Sequence, residues 1–215
     1  MVIFSVFNDY MNSKIKKGIN LLDELKSKQD IVLELGCGKS KKHSNAITID
    51  AIDYEGVDLV GDVFDVFSEI TSHSVREIYS YHFFEHVKDQ SKLIDECARI
   101  LSPRGKMIVV VPHFSNPFFY SDPTHESFFG LYTFSYYCDD QVLSRKVPKY
   151  GVDPKFMIAS VDLIFKSYRP HYLRHGIKKM FQFLVNSGSW TKEFYEENLQ
   201  GIIPCYEIKF ELDRK

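Results

Sequence analysis

Residues 34–38 read Glu-Leu-Gly-Cys-Gly, and Asp50 closes the apolar run that follows. Gly36 and Gly38 permit a sharp turn whose backbone presses against a ligand, and Asp50 is spaced to accept hydrogen bonds from ribose hydroxyls. That is the chemistry of a nucleotide-type cofactor site, and charge decides which nucleotide. A dinucleotide's pyrophosphate wants a third glycine and no carboxylate beside the turn. Here position 41 is Lys41, and Glu34 stands two residues before Gly36. A carboxylate there repels phosphate but suits S-adenosylmethionine, which carries an ammonium and a sulfonium.

A second group of side chains could move a proton. His113, Asp122 and His125 share one short segment, with His86 upstream. Imidazole titrates near neutrality, so any of the three histidines could act as a general base, with Asp122 orienting one of them. His113, Asp122 and His125 also have ligand types that suit zinc, but their spacing is not diagnostic and no metal is assigned. Residues 82–86, His-Phe-Phe-Glu-His, match an inverted zinc-protease pattern. No distant third ligand accompanies it.

These residues need a frame. Ile31–Leu35, Ile47–Asp50, Val57–Gly61 and Ile78–Ser80 read as short buried strands, followed by Met107–Val111. Leu93, Ile94, Cys97, Ile100 and Leu101 mark an amphipathic helix, stopped by Pro103 and Gly105. Residues 9–28 carry Met11, Ile15, Ile19, Leu22 and Leu25 near helical spacing and predict a helix covering one side of the cleft. The alternation predicts a doubly wound, Rossmann-like, mostly parallel sheet. Ligands of such sheets lie at the carboxyl ends of the strands, so Ser80, Tyr81 and His82 are expected to reach the cofactor. Only Lys39 to Asn45 separate the glycine turn from the next strand, too few for a crossover helix, so a loop is expected there.

Through Glu-Leu-Gly-Cys-Gly at 34–38, Ile-Thr-Ile-Asp at 47–50 and the segments at 57–62, 79–87 and 101–112, the chain resembles class I S-adenosylmethionine-dependent methyltransferases of the small, type-11-like kind. The resemblance covers roughly residues 30–112. It implies that Asp62 and the backbone of Val63 bind the adenine, and that the apolar runs at 157–165 and 202–211 form an antiparallel hairpin at the C-terminal sheet edge. The missing crossover helix departs from the family, leaving the methionine carboxylate to backbone amides or to Lys39, Lys41 or Lys42. The expected organisation is one domain: a cap helix at 1–29, a cofactor-binding core at 30–112, a substrate lid at 113–155, and the hairpin with a helix at 156–215.

Residues 113–137 hold ten aromatics without helical periodicity. Flat apolar faces beside Asn, Asp and Ser suit a sugar ring, so the resemblance and this lid together imply O-methylation of a sugar or sugar-containing metabolite. Phe128 and Phe129 are expected to pack in the interior. An amine acceptor, or a non-catalytic module using the aromatics as an interface, stays open. Arg169, His171 and Arg174 could hold the phosphate of a nucleotide sugar or phosphorylated sugar. A homodimer is also open.

The 215 residues suffice for one filled core. The net charge of −2 hides nine Lys or Arg against two Asp between Gln141 and Met180. Within that stretch, residues 168–183 are basic and partly amphipathic, a composition that meets an anionic substrate or a membrane surface. The overall balance argues against nucleic acid. Four scattered cysteines without a CxxC pair indicate reduced thiols, and no leader or membrane-spanning run is evident, so a cytoplasmic protein is expected.

Overall fold

The computed structural model describes residues 15–139 and 142–215. Five strands run parallel: β1 (Ile31–Leu35), β2 (Ile47–Asp50), β3 (Leu59–Val60), β4 (Val75–Tyr81) and β5 (Leu101–Pro112). Towards the C-terminus come β6 (Cys138–Asp139), β7 (Phe156–Ile164) and β8 (Glu207–Arg214), and the sheet order is β3-β2-β1-β4-β5-β8-β7-β6. β8 is antiparallel to both β5 and β7, which makes the expected C-terminal hairpin, and β6 adds a short parallel edge beyond β7. The order reverses beside β1, the switch point where open α/β sheets leave a crevice.

Strand β1 is buried along its whole length, as a central parallel strand covered on both faces must be. Helices α1 (Ile19–Leu25), α2 (Val63–Glu69), α3 (Gln90–Ile100), α4 (Tyr172–Val185) and α5 (Ser189–Asn198) flank the sheet. In α3 the Asp89 side chain caps the Lys92 amide at 3.0 Å, and Leu93, Ile94, Cys97, Ala98 and Ile100 are buried. Strand β5 then starts at Leu101, earlier than expected: Leu101 pairs with Val75 and Lys106 with Glu77, so Pro103 and Gly105 fall in an irregular bulge without delaying the strand.

Part of the expected N-terminal helix is interrupted among the described residues. Lys17 pairs with Val60 as an isolated antiparallel bridge, with Lys16 N donating to Val60 O at 2.7 Å, so residues 15–18 are not helical and α1 starts at Ile19. Residues 9–14 of the expected helix, Met11 among them, lie outside the described residues.

The first crossover is a loop, as its length requires. Without helical hydrogen bonds its amides need acceptors, and Glu34 supplies them from the middle of β1. Lys42 N donates to both Glu34 oxygens at 3.0 Å, and His43 N donates to Oε2 at 2.9 Å. The His43 ring stacks on Tyr79 with centroids 3.5 Å apart, and its Nε2 lies 2.9 Å from the Tyr81 hydroxyl.

Replacing Glu34 by Ala leaves the Lys42 and His43 amides without their acceptor and is expected to cost about 1–3 kcal/mol. Glu34→Gln keeps one acceptor oxygen and should lose clearly less. Urea denaturation of the three proteins checks the order; equal midpoints would show that the loop does not depend on this carboxylate.

Candidate functional site

At the carboxyl ends of β1 and β2 and the start of α2 lies a cleft of about 310 Å³, lined by Leu35, Asp50, Asp62, Val63, Phe83 and His86 among others. The sequence elements at its rim make the turn. Gly36 has φ +63°, and a Cβ there would fall 2.7 Å from Phe83 Cβ. Gly38 has φ +57° with open space where a Cβ would stand. Its amide donates to Asp50 Oδ2 at 2.9 Å, and Ile52 N donates to Asp50 Oδ1 at 2.9 Å. Each Asp50 oxygen keeps acceptor capacity for a ligand hydroxyl. Asp62 caps α2 by accepting from Phe64 N at 2.8 Å through Oδ1, and its side chain is otherwise exposed to the cleft.

Other expected cofactor contacts are not gathered here. Glu34 is fully buried beneath the crossover loop and faces its amides, not an incoming ammonium. Ser80 is also fully buried, because strand alternation turns it away from the face that Tyr79 and Tyr81 share. Tyr81 meets His43, with Lys42 Nζ 4.2 Å above its ring. Of the lysines expected near the methionine end, Lys41 pairs with Asp58 at 3.3 Å and Lys39 lies over Tyr54.

The histidines separate by environment. His113 is fully buried and both ring nitrogens are engaged within the protein: Ser115 N donates to its Nδ1 at 3.1 Å, which leaves Nε2–H to donate to Glu196 at 3.0 Å. It staples the end of β5 to α5. That burial also removes it from Asp122 and His125 as a metal set. His86, by contrast, lines the cleft. Its Nδ1 lies 2.9 Å from the Thr124 hydroxyl, which donates to Asp122 Oδ1 at 2.6 Å. The hydroxyl proton is therefore committed to Asp122, His86 donates from Nδ1, and Nε2 carries the lone pair. Hydrogen bonds from the Thr124 side chain and amide hold Asp122 below the usual carboxylate range. His125 donates from Nδ1 to Phe119 O at 2.8 Å, and its ring centroid lies 4.9 Å from that of His86.

Thr124 was not among the expected site residues; its place between Asp122 and His125 was the available signal. Glu85 is a second addition. It is buried, and its oxygens have no hydrogen-bond partner beyond the ion-pair contact of Oε1 with His82 Nδ1 at 3.3 Å. One ligand atom from each of Glu85, His86 and His125 lies within 4.8 Å of the others, a set that could hold a divalent ion.

The aromatic segment is split between interior and surface. Phe119, Phe129 and Phe134 are buried, and Phe134 packs on Phe210 with centroids 4.7 Å apart. Phe128 reverses its expectation, standing exposed at the surface. Arg169, His171 and Arg174 do come together. They line a cavity of about 300 Å³ with Lys166, Lys178 and Tyr206. Burial, aided by the charge of Arg174, pulls the Lys178 pKa down.

Residues 7–128 match the family model for a methyltransferase domain. No curated protein matches the chain. Among solved structures, an S-adenosylmethionine-dependent methyltransferase from Archaeoglobus fulgidus aligns with a TM-score of 0.55 at 14% identity, over 98% of this chain and 99% of that one. A methyltransferase complex with the Trm112 activator from Haloferax volcanii aligns at 0.49 and 15% identity, over 91% and 87% of the two chains. Phosphoethanolamine N-methyltransferase 2 of Haemonchus contortus, solved with S-adenosylmethionine, aligns at 0.47 and 12% identity, over 92% of this chain and 52% of that one.

His82 follows β4 but turns from the cleft towards two carboxylates, with Nε2 3.0 Å from Glu207 and Nδ1 3.3 Å from Glu85. Burial alone would depress its pKa, yet Glu207 and Glu85 outweigh burial and push it up to about 9. The imidazolium's ion pairs therefore contribute fully below the ordinary value of 6.5, weaken as pH rises, and are lost through about 9. Thermal unfolding followed across this window should show a declining melting temperature in the native protein. His82→Gln should flatten that slope, by at most about 1 kcal/mol given the solvent around the ring; an unchanged slope would remove His82 as its source.

Proposed function

The chain belongs to the methyltransferase-domain family, and from that premise we propose that it moves a methyl group from S-adenosylmethionine to a hydroxyl of a sugar or sugar-containing small molecule. The fold it shares with the Archaeoglobus enzyme supports the donor reading, and so does the cleft at the switch point, where Asp50 and Asp62 offer carboxylate oxygens for ribose and adenine. The observation that carries the hydroxyl acceptor is the relay from His86 through Thr124 to Asp122 beside that cleft.

The chemistry is a direct displacement. The acceptor oxygen attacks the methyl carbon as the carbon–sulfur bond breaks, and the sulfonium becomes a neutral thioether. As the oxygen–carbon bond forms, the hydroxyl proton passes to His86 Nε2. Ionised Asp122, acting through Thr124, stabilises the imidazolium that results. Alignment and exclusion of water supply the rest.

The basic cavity favours an acceptor bearing phosphate, such as a nucleotide sugar or phosphorylated sugar. Lys166, Arg169, His171 and Arg174 lie near the carboxyl end of β7, on the same sheet edge as the donor cleft. Three strand spacings from β4 to β7 amount to about 15 Å, the reach of a nucleotide-sized molecule. The Glu85, His86 and His125 cluster favours a second reading of the same site, in which a divalent ion polarises the hydroxyl.

Calorimetric titration with S-adenosylhomocysteine should give saturable binding that Asp50→Ala abolishes; a folded, ligand-free protein that does not bind would sink the donor reading. In an acceptor screen begun with nucleotide sugars, His86→Gln should lower kcat about 10²–10⁴-fold while leaving homocysteine-product affinity intact. Full turnover in that variant would point to an amine acceptor, which needs no base. Turnover that a chelator abolishes and added divalent metal restores would favour the metal reading.

A further inference from the structure

Helix α4 wears its amphipathicity inside out. At about 100° per residue, Tyr172, Leu173, Ile177, Met180, Phe183 and Leu184 fall within one arc of about 140°. That arc faces solvent. The last five of these side chains are 60 to 80% exposed, as is Trp190 at the start of α5. The polar residues turn inward instead: Lys178 donates to Lys166 O at 2.9 Å, and Gln182 Oε1 accepts from Phe165 N at 3.0 Å. Burying one aliphatic or aromatic side chain is worth about 1.5–3 kcal/mol, so a face this apolar is out of place on a surface facing only water. Contiguous exposed apolar patches mark interaction surfaces.

We propose that this face docks on the surface of an anionic lipid bilayer, with α4 lying in the interface. Charge complementarity selects the occupant. Residues 163–192 hold six Lys or Arg and no Asp or Glu; Lys192 and Lys166 are paired with Asp162 and Glu207 and Lys178 turns inward, while on the helical wheel Arg174 and Lys179 border the apolar arc on either side. Apolar side chains at the acyl boundary, flanked by cations at the level of lipid phosphates and joined by a tryptophan, describe an interfacial helix. Trp190 stacks on Phe194 with centroids 5.3 Å apart, an amphipathic pair suited to the headgroup layer. A second copy of this chain is the poorer occupant, because a two-fold interface would bring each cationic border against its own copy. The mode is peripheral: among the described residues no helix is long and apolar enough to cross a membrane.

Trp190 is the one tryptophan in the sequence and therefore reports on this face alone. Phosphatidylcholine vesicles containing phosphatidylglycerol should shift its emission to the blue and carry the protein down on sedimentation. Vesicles of phosphatidylcholine alone should bind it weakly, and added salt should release it from the anionic ones. The double variant Ile177→Glu/Met180→Glu should bind anionic vesicles at least about tenfold more weakly, with native circular dichroism and melting temperature. Three results would overturn the proposal: no binding of the native protein to anionic vesicles, undiminished binding of the folded double variant, or a solution dimer that the double variant dissociates.

Discussion

A buried carboxylate in the central strand of the sheet stands where a helix would otherwise do the work. The chain between β1 and β2 is too short for a regular crossover, so its amides have no helical partners, and Glu34 collects two of them from within the strand. This constraint sets the rest of the rim around the cleft. Holding residues 42 and 43 against β1 keeps His43 stacked on Tyr79 and within reach of Tyr81. It also fixes the path from Gly36 to Asp50, whose carboxylate returns to the turn through the Gly38 amide. A residue type that looks like a ligand for an ammonium serves first as a substitute for secondary structure, because an unpaired interior amide costs more than an unmade ligand contact.

A second constraint comes from the reversed strand. As β8 runs against its neighbours, its first residue pairs with the last residues of β5 and β7, so Glu207 meets Pro112 and Ile164 at the functional edge. Burial raises the Glu207 pKa, but hydrogen bonds from His82 and Lys166 reverse this and hold it below its ordinary range. Lys166 reaches Glu207 at 2.5 Å and also lines the basic cavity. The end of β4 and that cavity are thus tied through one carboxylate, and His82 is the cation that completes it.

The legible part of the chain was the part governed by local rules. Continuous apolar runs announced β1, β2 and β5, the spacing of Leu93, Ile94 and Cys97 announced α3, and the seven residues after the glycine turn announced a loop. Residues whose meaning depends on what folds over them were not legible. Ser80 and Glu34 lie in the right strands, but their direction is set by pleat alternation and by a loop whose path composition does not encode. His113 and His86 look alike as letters. Only the packing of α5, which brings Glu196 to His113, and of the segment after β5, which brings Thr124 to His86, divides them. Phe128 and Phe129 show the same limit at one-residue resolution: neighbours in sequence, one is buried and the other exposed.

The inverted helix α4 joins these themes. Its inner side supplies Lys178 to the basic cavity and Arg174 reaches that cavity from the edge of the arc, while its outer side offers apolar surface that the chain's own core does not use. A helix with its side chains is about 10–12 Å across, so the cavity lies one helix thickness from the outer face. On the docking reading that depth coincides with the lipid phosphates. An acceptor carrying a phosphate could then enter the cavity from the headgroup layer, while the proposed donor cleft at β1 and β2, four to five strand spacings or about 20–25 Å along the sheet edge, stays open to water and to a soluble cofactor. Turning lysine and glutamine inward and leucine and methionine outward is costly for folding alone. It becomes economical when one helix must face an anion on one side and a membrane on the other.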